Sequence, residues 1–174
     1  RELTGSAYAE RRASCEAGAR ALAEKLPDVR ALRDVDADAF ARFEGELDET
    51  IAKRCRFIIE ENARVRELAR AFTTRDRECI RRVCERSFEG ARDLFEIVVP
   101  EMQAMFDAMT RAPGVVGARQ AGAGFGGCMI ALVEIESVDA FVASVRDVYS
   151  AAVGDRPEIY PVETSQGAGL LEMD

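Results

Sequence analysis

The feature that most constrains this chain is a change of hydrophobic period at Pro113. Before it, apolar residues recur every three and four positions; after it, they alternate around a glycine-dense loop. A period near 3.6 demands helices and a period of two demands strands. The chain must therefore join a long helical block to a small sheet. Ser6 is placed to cap a first helix running to about Lys25, with Tyr8, Cys15, Ala19, Leu22 and Leu26 at helical spacing and Pro27 as its stop. Asp36 to Phe43 reads as a short capped helix. A long stripe then runs from Leu47 through Ile51, Cys55, Ile59 and Val65 to Phe72, and Arg54, Glu60, Glu61, Arg64 and Glu67 read as its solvated faces. A second stripe runs from Ile80 to Phe95. Pro100 suits the first turn of another helix, with Met102, Met105, Phe106 and Met109 facing inward.

Beyond Pro113, Val115 to Gln120 reads as a strand, and Cys128 to Glu136 as a second, with Met129, Ala131, Val133 and Ile135 on one side. Ser137 is placed to cap a helix that turns Phe141, Val145 and Val148 inward and that Gly154 ends. Glu158 to Glu163 reads as a last strand, an edge because Pro161 cannot donate to a ladder. The fold class is α+β: a helical N-terminal two thirds packed on a small, largely antiparallel sheet, with ferredoxin-like β–loop–β–α–β elements.

Composition removes whole classes of chemistry. The 174 residues contain no histidine, so Ser-His-Asp and Cys-His catalysis and most zinc sites are excluded. A net charge of −8 argues against nucleic acid as a partner. No apolar run reaches the roughly 18 residues that a membrane span needs. Cys15, Cys55, Cys79, Cys84 and Cys128 form no C-x-x-C pair and read as reduced core residues of a cytoplasmic protein. The chain begins at Arg1 rather than Met, which reads as a chain that is processed, cut or missing a front part.

One segment carries chemistry. Gly122, Ala123, Gly124, Phe125, Gly126 and Gly127 hold four glycines in six residues. Gly122, Gly124 and Gly127 satisfy G-x-G-x-x-G, but a strand follows where dinucleotide binding needs a helix, and no Gly-Lys-Ser/Thr P-loop is present. Two readings stay open: a strand–loop–strand whose backbone N–H groups form a concave anion site, or a tight hairpin with a bulge.

The run from Val116 to Cys128 resembles the third signature motif of the GHMP small-molecule kinases, and within them the galactokinase loop G-A-R-M-T-G-x-G-F-G-G-C. Tyr8 to Arg12 with Cys15-Glu16 resembles Y-x-x-R-R-x-x-C-E. Leu32 to Val35 resembles L-R-D-V. Arg54, Glu60-Glu61-Asn62 and Val65 resemble the R-R-x-x-H-x-x-x-E-N-x-R-V helix. Arg92 to Glu96 with Pro100-Glu101 resembles R-D-x-Y-E-V-S-x-P-E-L. The resemblance covers nearly all of residues 1–174 and implies a single GHMP kinase C-terminal domain with its leading helix.

The resemblance also implies what lies elsewhere. The family's G-E-H-x-D-Y and P-x-G-x-G-L-S-S-S-A motifs, its catalytic aspartate and its arginine partner do not occur in this sequence. The resemblance therefore implies an N-terminal GHMP domain as partner, ATP and Mg2+ as cofactors of the complete enzyme, none held by this chain alone, and a hexose substrate. The complete enzyme would phosphorylate the anomeric hydroxyl of galactose or a related hexose; this chain alone would not. By resemblance Tyr8 reaches the sugar, where the residue-level alternative is a buried aromatic at a helix end. Gly122 to Gly127 would close the cleft, with their N–H groups facing sugar and phosphate and Phe125 sealing it. Arg119 reads as a surface or salt-bridge residue. Where the family carries polar groups or other shapes, this chain has Phe88, Gly90, Val98, Gln103, Gln120 and Ala121. Those departures suit a second reading, a sugar-responsive regulator without catalysis. A third is a free-standing binding domain.

Overall fold

A computed structural model describes residues 6–165, 167 and 169. Six helices and one hairpin follow the predicted order: α1 (Ser6–Ala23), α2 (Ala37–Phe43), α3 (Glu49–Thr74), α4 (Arg77–Asp93), α5 (Pro100–Arg111), β1 (Val115–Gln120), β2 (Met129–Val133) and α6 (Val138–Val153). Aspartates set three of the starts. Asp36 accepts the Ala39 N–H, Asp48 those of Thr50 and Ile51, and Asp76 that of Cys79, each satisfying donors that a helix start leaves open. Pro100 occupies the first turn of α5, where its missing N–H costs nothing.

The hairpin is the centre of the C-terminal half. β1 and β2 pair antiparallel, and an extra residue near Val116 shifts the register between Val115 and Gly117. The shift lets β1 serve two layers: Val116 packs with Ile80, Val83 and Cys84 of α4, while Ala118 packs with Ala108 and Met109 of α5 and Phe141 and Val145 of α6. A separate N-terminal core gathers Leu22, Leu32, Phe40, Cys55 and Ile59 from α1, α2, α3 and the turn between α1 and α2. A fourth cluster, Phe57, Ala91 and Ile97, lies under the glycine loop.

Several expectations change. Glu158 to Glu163 forms no strand; among the described residues the sheet has two strands, and Tyr160 and Val162 are exposed. Alternation specifies extended backbone, but a strand also needs a neighbour, and Pro161 supplies no donor for one. The second strand is shorter than predicted, because the chain turns at Glu134 and leaves Ile135 exposed. Helix α1 stops at Ala23, where the Leu22 carbonyl takes the N–H groups of Lys25 and Leu26 before Pro27 is reached. The Ser6 side chain lies outside what is described. Ser137 precedes α6 without a side-chain cap, and Val148 is partly exposed. On α3, Val65 and Phe72 face solvent whereas Arg54, Arg64 and Phe57 are buried. The five thiols are free, but Cys128 is exposed rather than in the core. Among the described residues no helix is long and apolar enough to cross a membrane.

Candidate functional site

The glycine segment is a loop of eight residues, 121–128, closed at its base where the Ala121 N–H donates to the Cys128 carbonyl at 2.8 Å. It is therefore not a tight turn, and the register shift lies in β1 rather than at its tip. Four of its residues have positive φ: Gly122 (80°), Gly124 (78°), Phe125 (53°) and Gly126 (86°). Gly124 lies against the connection between α4 and α5. A Cβ there would sit 2.7 Å from both the Cβ and the carbonyl oxygen of Ile97.

The loop is pinned to the body by its own amides. The Phe125 N–H donates to the Ile97 carbonyl at 2.8 Å, the Gly126 N–H points at Met102 Sδ at 3.3 Å, and the Gly127 N–H donates to the Gly124 carbonyl at 3.1 Å. In this structure all three amides are directed to the protein itself. Phe125, half-buried, packs against the Phe57–Ile97 cluster. The outward rim consists of Gly122, which has open space around it, Ala123 and the exposed Gly127.

Helix α1 flanks this loop. Arg11 is buried; its guanidinium lies 5.9 Å from the Phe125 ring centre, donating from Nε to the Phe95 carbonyl at 2.6 Å and from Nη2 to the Glu96 carbonyl at 3.1 Å. Tyr8 lies one turn earlier on the same flank, 47% exposed, so it is not the buried aromatic of the alternative reading. Arg54 of α3 reaches the same place from below, donating to the Leu94 carbonyl and pairing with Glu96 at 2.5 Å. The Arg54 hydrogen bond, with the charges of Arg54 and Arg11, holds the Glu96 carboxyl below its usual range.

A second polar knot braces β1 where it enters the loop. Glu61 of α3 accepts from Ser87 of α4 at 2.7 Å and from Arg64 at 2.7 Å, and pairs with Arg119 of β1 at 2.8 Å. Burial pushes the Glu61 carboxyl up, but these hydrogen bonds and charges outweigh it, and the net displacement is downward. Gln120, the next residue of β1, is buried with its Oε1 lacking any hydrogen bond. Arg119 is thus a salt-bridge residue. The roles of Arg54, Arg64 and Glu61 were missed because charges on a helix read as solvated. A signal was present: 47, 51, 54, 58 and 61 share one helical face, so Arg54 and Glu61 lie on the apolar stripe itself.

The departures separate by place. Phe88 is fully buried and stacks on Phe106 with centroids 3.8 Å apart, and Gly90 packs against Phe57 and Arg64. Val98 is half-buried in the cluster beneath the loop, and Gln103 donates to Asp107 at 2.9 Å. Among the described residues, no three acidic or thiol groups converge to hold a metal ion.

An α+β domain that clamps a glycine-rich strand–loop–strand between helices defines a class. Residues 65–151, half of the chain, match the family model described as GHMP kinases C terminal. The chain belongs to the GHMP kinase C-terminal domain family, and within it the domain is galactokinase-like. It is 36% identical to the galactokinase of Roseiflexus sp. (strain RS-1) over 171 residues, covering 98% of this chain and 44% of that protein. The crystal structure of Lactococcus lactis galactokinase complexed with galactose matches with a TM-score of 0.82 at 32% identity, over 90% of this chain and 40% of that one. The chain spans less than half the length of these relatives.

Proposed function

We propose that this chain is the C-terminal part of a galactokinase-like sugar kinase that transfers the γ-phosphate of ATP to the anomeric hydroxyl of galactose or a related hexose in the cytoplasm. The observation that carries the reading is the match over 90% of the chain to a galactokinase holding galactose, with the glycine loop intact in this sequence. In this reading Tyr8 contacts the sugar through its hydroxyl. The rim of Gly122, Ala123 and Gly127 closes the cleft, while Gly124, Phe125 and Gly126 fix the loop to the body. Phosphoryl transfer is mostly positioning and charge stabilisation, so a rigid wall contributes by orientation and by excluding water.

The described residues offer no metal-ligand group and no phosphate cradle with outward amides at positions 125–127. The resemblance puts the motifs for ATP, Mg2+ and the catalytic base outside this sequence, and we assign them to an N-terminal GHMP domain that partners this chain. This chain by itself is expected to be inactive.

The test is the intact mass of the protein as its own cell makes it, followed by a hexose panel with ATP and Mg2+. Phosphorylation of at least one hexose at the anomeric position is the expected result. A protein that binds a hexose without phosphorylating it overturns the kinase reading in favour of a sugar-responsive regulator, and a natural mass near 19.1 kDa excludes a self-contained kinase.

A further inference from the structure

The connection between α4 and α5 bears an unusual residue. Glu96 adopts φ 54°, a left-handed conformation that a side chain with a Cβ rarely takes without compensation. Burial does not supply that compensation, because the Glu96 side chain is 52% exposed. Two arginines do. Arg54, itself 3% exposed, pairs with the carboxylate at 2.5 Å, and Arg11 approaches it at 3.8 Å. The same two guanidiniums take three successive carbonyls at the end of α4: Arg54 that of Leu94, Arg11 those of Phe95 and Glu96. Only the Leu94 carbonyl belongs to the helix cap; those of Phe95 and Glu96 lie in the connection itself, so the arginines hold its backbone directly while Glu96, with Glu10 on Arg11, balances their charge.

The adjoining residue, Ile97, is the seat of the loop. It is buried, accepts the Phe125 N–H and fills the space that Gly124 leaves open. Arg11 belongs to α1 and stands beside Phe125, one turn from Tyr8. The α1 flank and the glycine loop are thus registered to one another through a single charged cluster.

We propose that Glu96 is a positioning residue: its carboxylate, held by Arg54 and Arg11, keeps the α4–α5 connection in the conformation on which the glycine loop and the Tyr8 flank are both seated. The effect on catalysis rests on the kinase reading above; the effect on the loop does not. Removing the carboxylate leaves the buried Arg54 guanidinium without its counter-charge, whereas Arg11 keeps Glu10 at 2.9 Å, and frees Ile97 to shift. The loop then loosens and the sugar side of the cleft loses its register.

The experiment compares Glu96→Gln and Glu96→Gly in the protein at its natural length. Glutamine keeps the size and loses the charge; glycine also eases the left-handed backbone. Hydrogen exchange at residues 121–127 is expected to speed up by about tenfold in both, the factor set by one lost charge-assisted hydrogen bond. The KM for hexose is expected to rise by a similar factor while the KM for ATP stays within about twofold. Wild-type loop exchange in both variants overturns the proposal. So does wild-type loop exchange in the glycine variant alone, which would make the backbone and not the carboxylate the operative feature. A fall in kcat that merely follows Tm, with the hexose KM unmoved, marks a structural role and also overturns it. If the wild-type protein phosphorylates no hexose, the kinase reading fails, and loop exchange alone decides the clamp. If Glu96→Gln does not fold, Glu96→Gly decides: loop exchange about tenfold faster than wild type supports the proposal and wild-type exchange overturns it.

Discussion

Gly124 and Gly122 share a positive φ but not a neighbourhood, and alanine at each separates two energies. At Gly122 a Cβ would meet open space. The cost of Gly122→Ala is then the left-handed backbone alone, about 1–2 kcal/mol. At Gly124 the same backbone term applies, and the Cβ would also lie 2.7 Å from the Ile97 carbonyl oxygen and Cβ. Neither atom is the end of a flexible side chain, so the overlap adds an overpacking cost of about 1–3 kcal/mol. For a domain of this size about 1 kcal/mol moves Tm by roughly 2–4 °C. Gly124→Ala should therefore melt about 2–12 °C below Gly122→Ala in calorimetry at pH 7. Loop exchange should rise with it, because relieving the overlap lifts Phe125 from the Ile97 carbonyl. Equal melting of the two variants would refute the claim that the loop is seated on Ile97.

Gln120→Met removes a buried oxygen that lacks a hydrogen bond and should raise stability by about 1 kcal/mol in urea titration; a loss of stability would mean that Oε1 has a partner. Phe88→His places a polar ring in a fully buried stack on Phe106 and should cost about 2 kcal/mol, readable as a lower urea midpoint. The Glu61 carboxyl is displaced downward in the folded protein, so its contribution is present above the unfolded value of about 4.3 and is lost as pH falls through the lower folded value; Glu61→Gln should flatten the acid limb of stability between about pH 5 and 3, and parallel profiles would contradict it. Thiol labelling should find a single fast site, the exposed Cys128, removed by Cys128→Ser, while Cys55, whose thiol burial pushes up to about 12, reacts only on unfolding.

Most of the fold was legible because its elements carry local signals. The stripe on α4, the proline opening α5, the aspartate before α2 and the strand Val115–Gln120 each appear where the sequence puts them. The failures share a cause, which is dependence on something distant. Glu158 to Glu163 has the alternation of a strand, but pairing is a property of two segments, and no strand pairs with it among the described residues. Arg54 and Glu61 sit on the inner face of α3, yet a charge is tolerable there only because Leu94, Glu96, Ser87 and Arg119 meet it from elsewhere in the chain. Periodicity reports which way a residue points and says nothing of what waits for it.

The candidate site shows the same division at finer scale. Sequence located the loop and one use for its glycines, letting backbone amides approach a ligand. The structure divides that work. Gly124 allows the approach, but toward Ile97 of the protein itself, and the amides at 125 and 126 are turned inward with it. Gly122 supplies a left-handed turn in open space. A loop closed at its base and pinned at its middle has a different mechanical character from a flexible flap. Its rim at Gly122, Ala123 and Gly127 is carried on Ile97, whose neighbouring backbone Arg11 and Arg54 hydrogen-bond. If the proposed sugar-kinase reading holds, substitutions at Glu96 or Ile97 should move hexose specificity as far as substitutions in the rim.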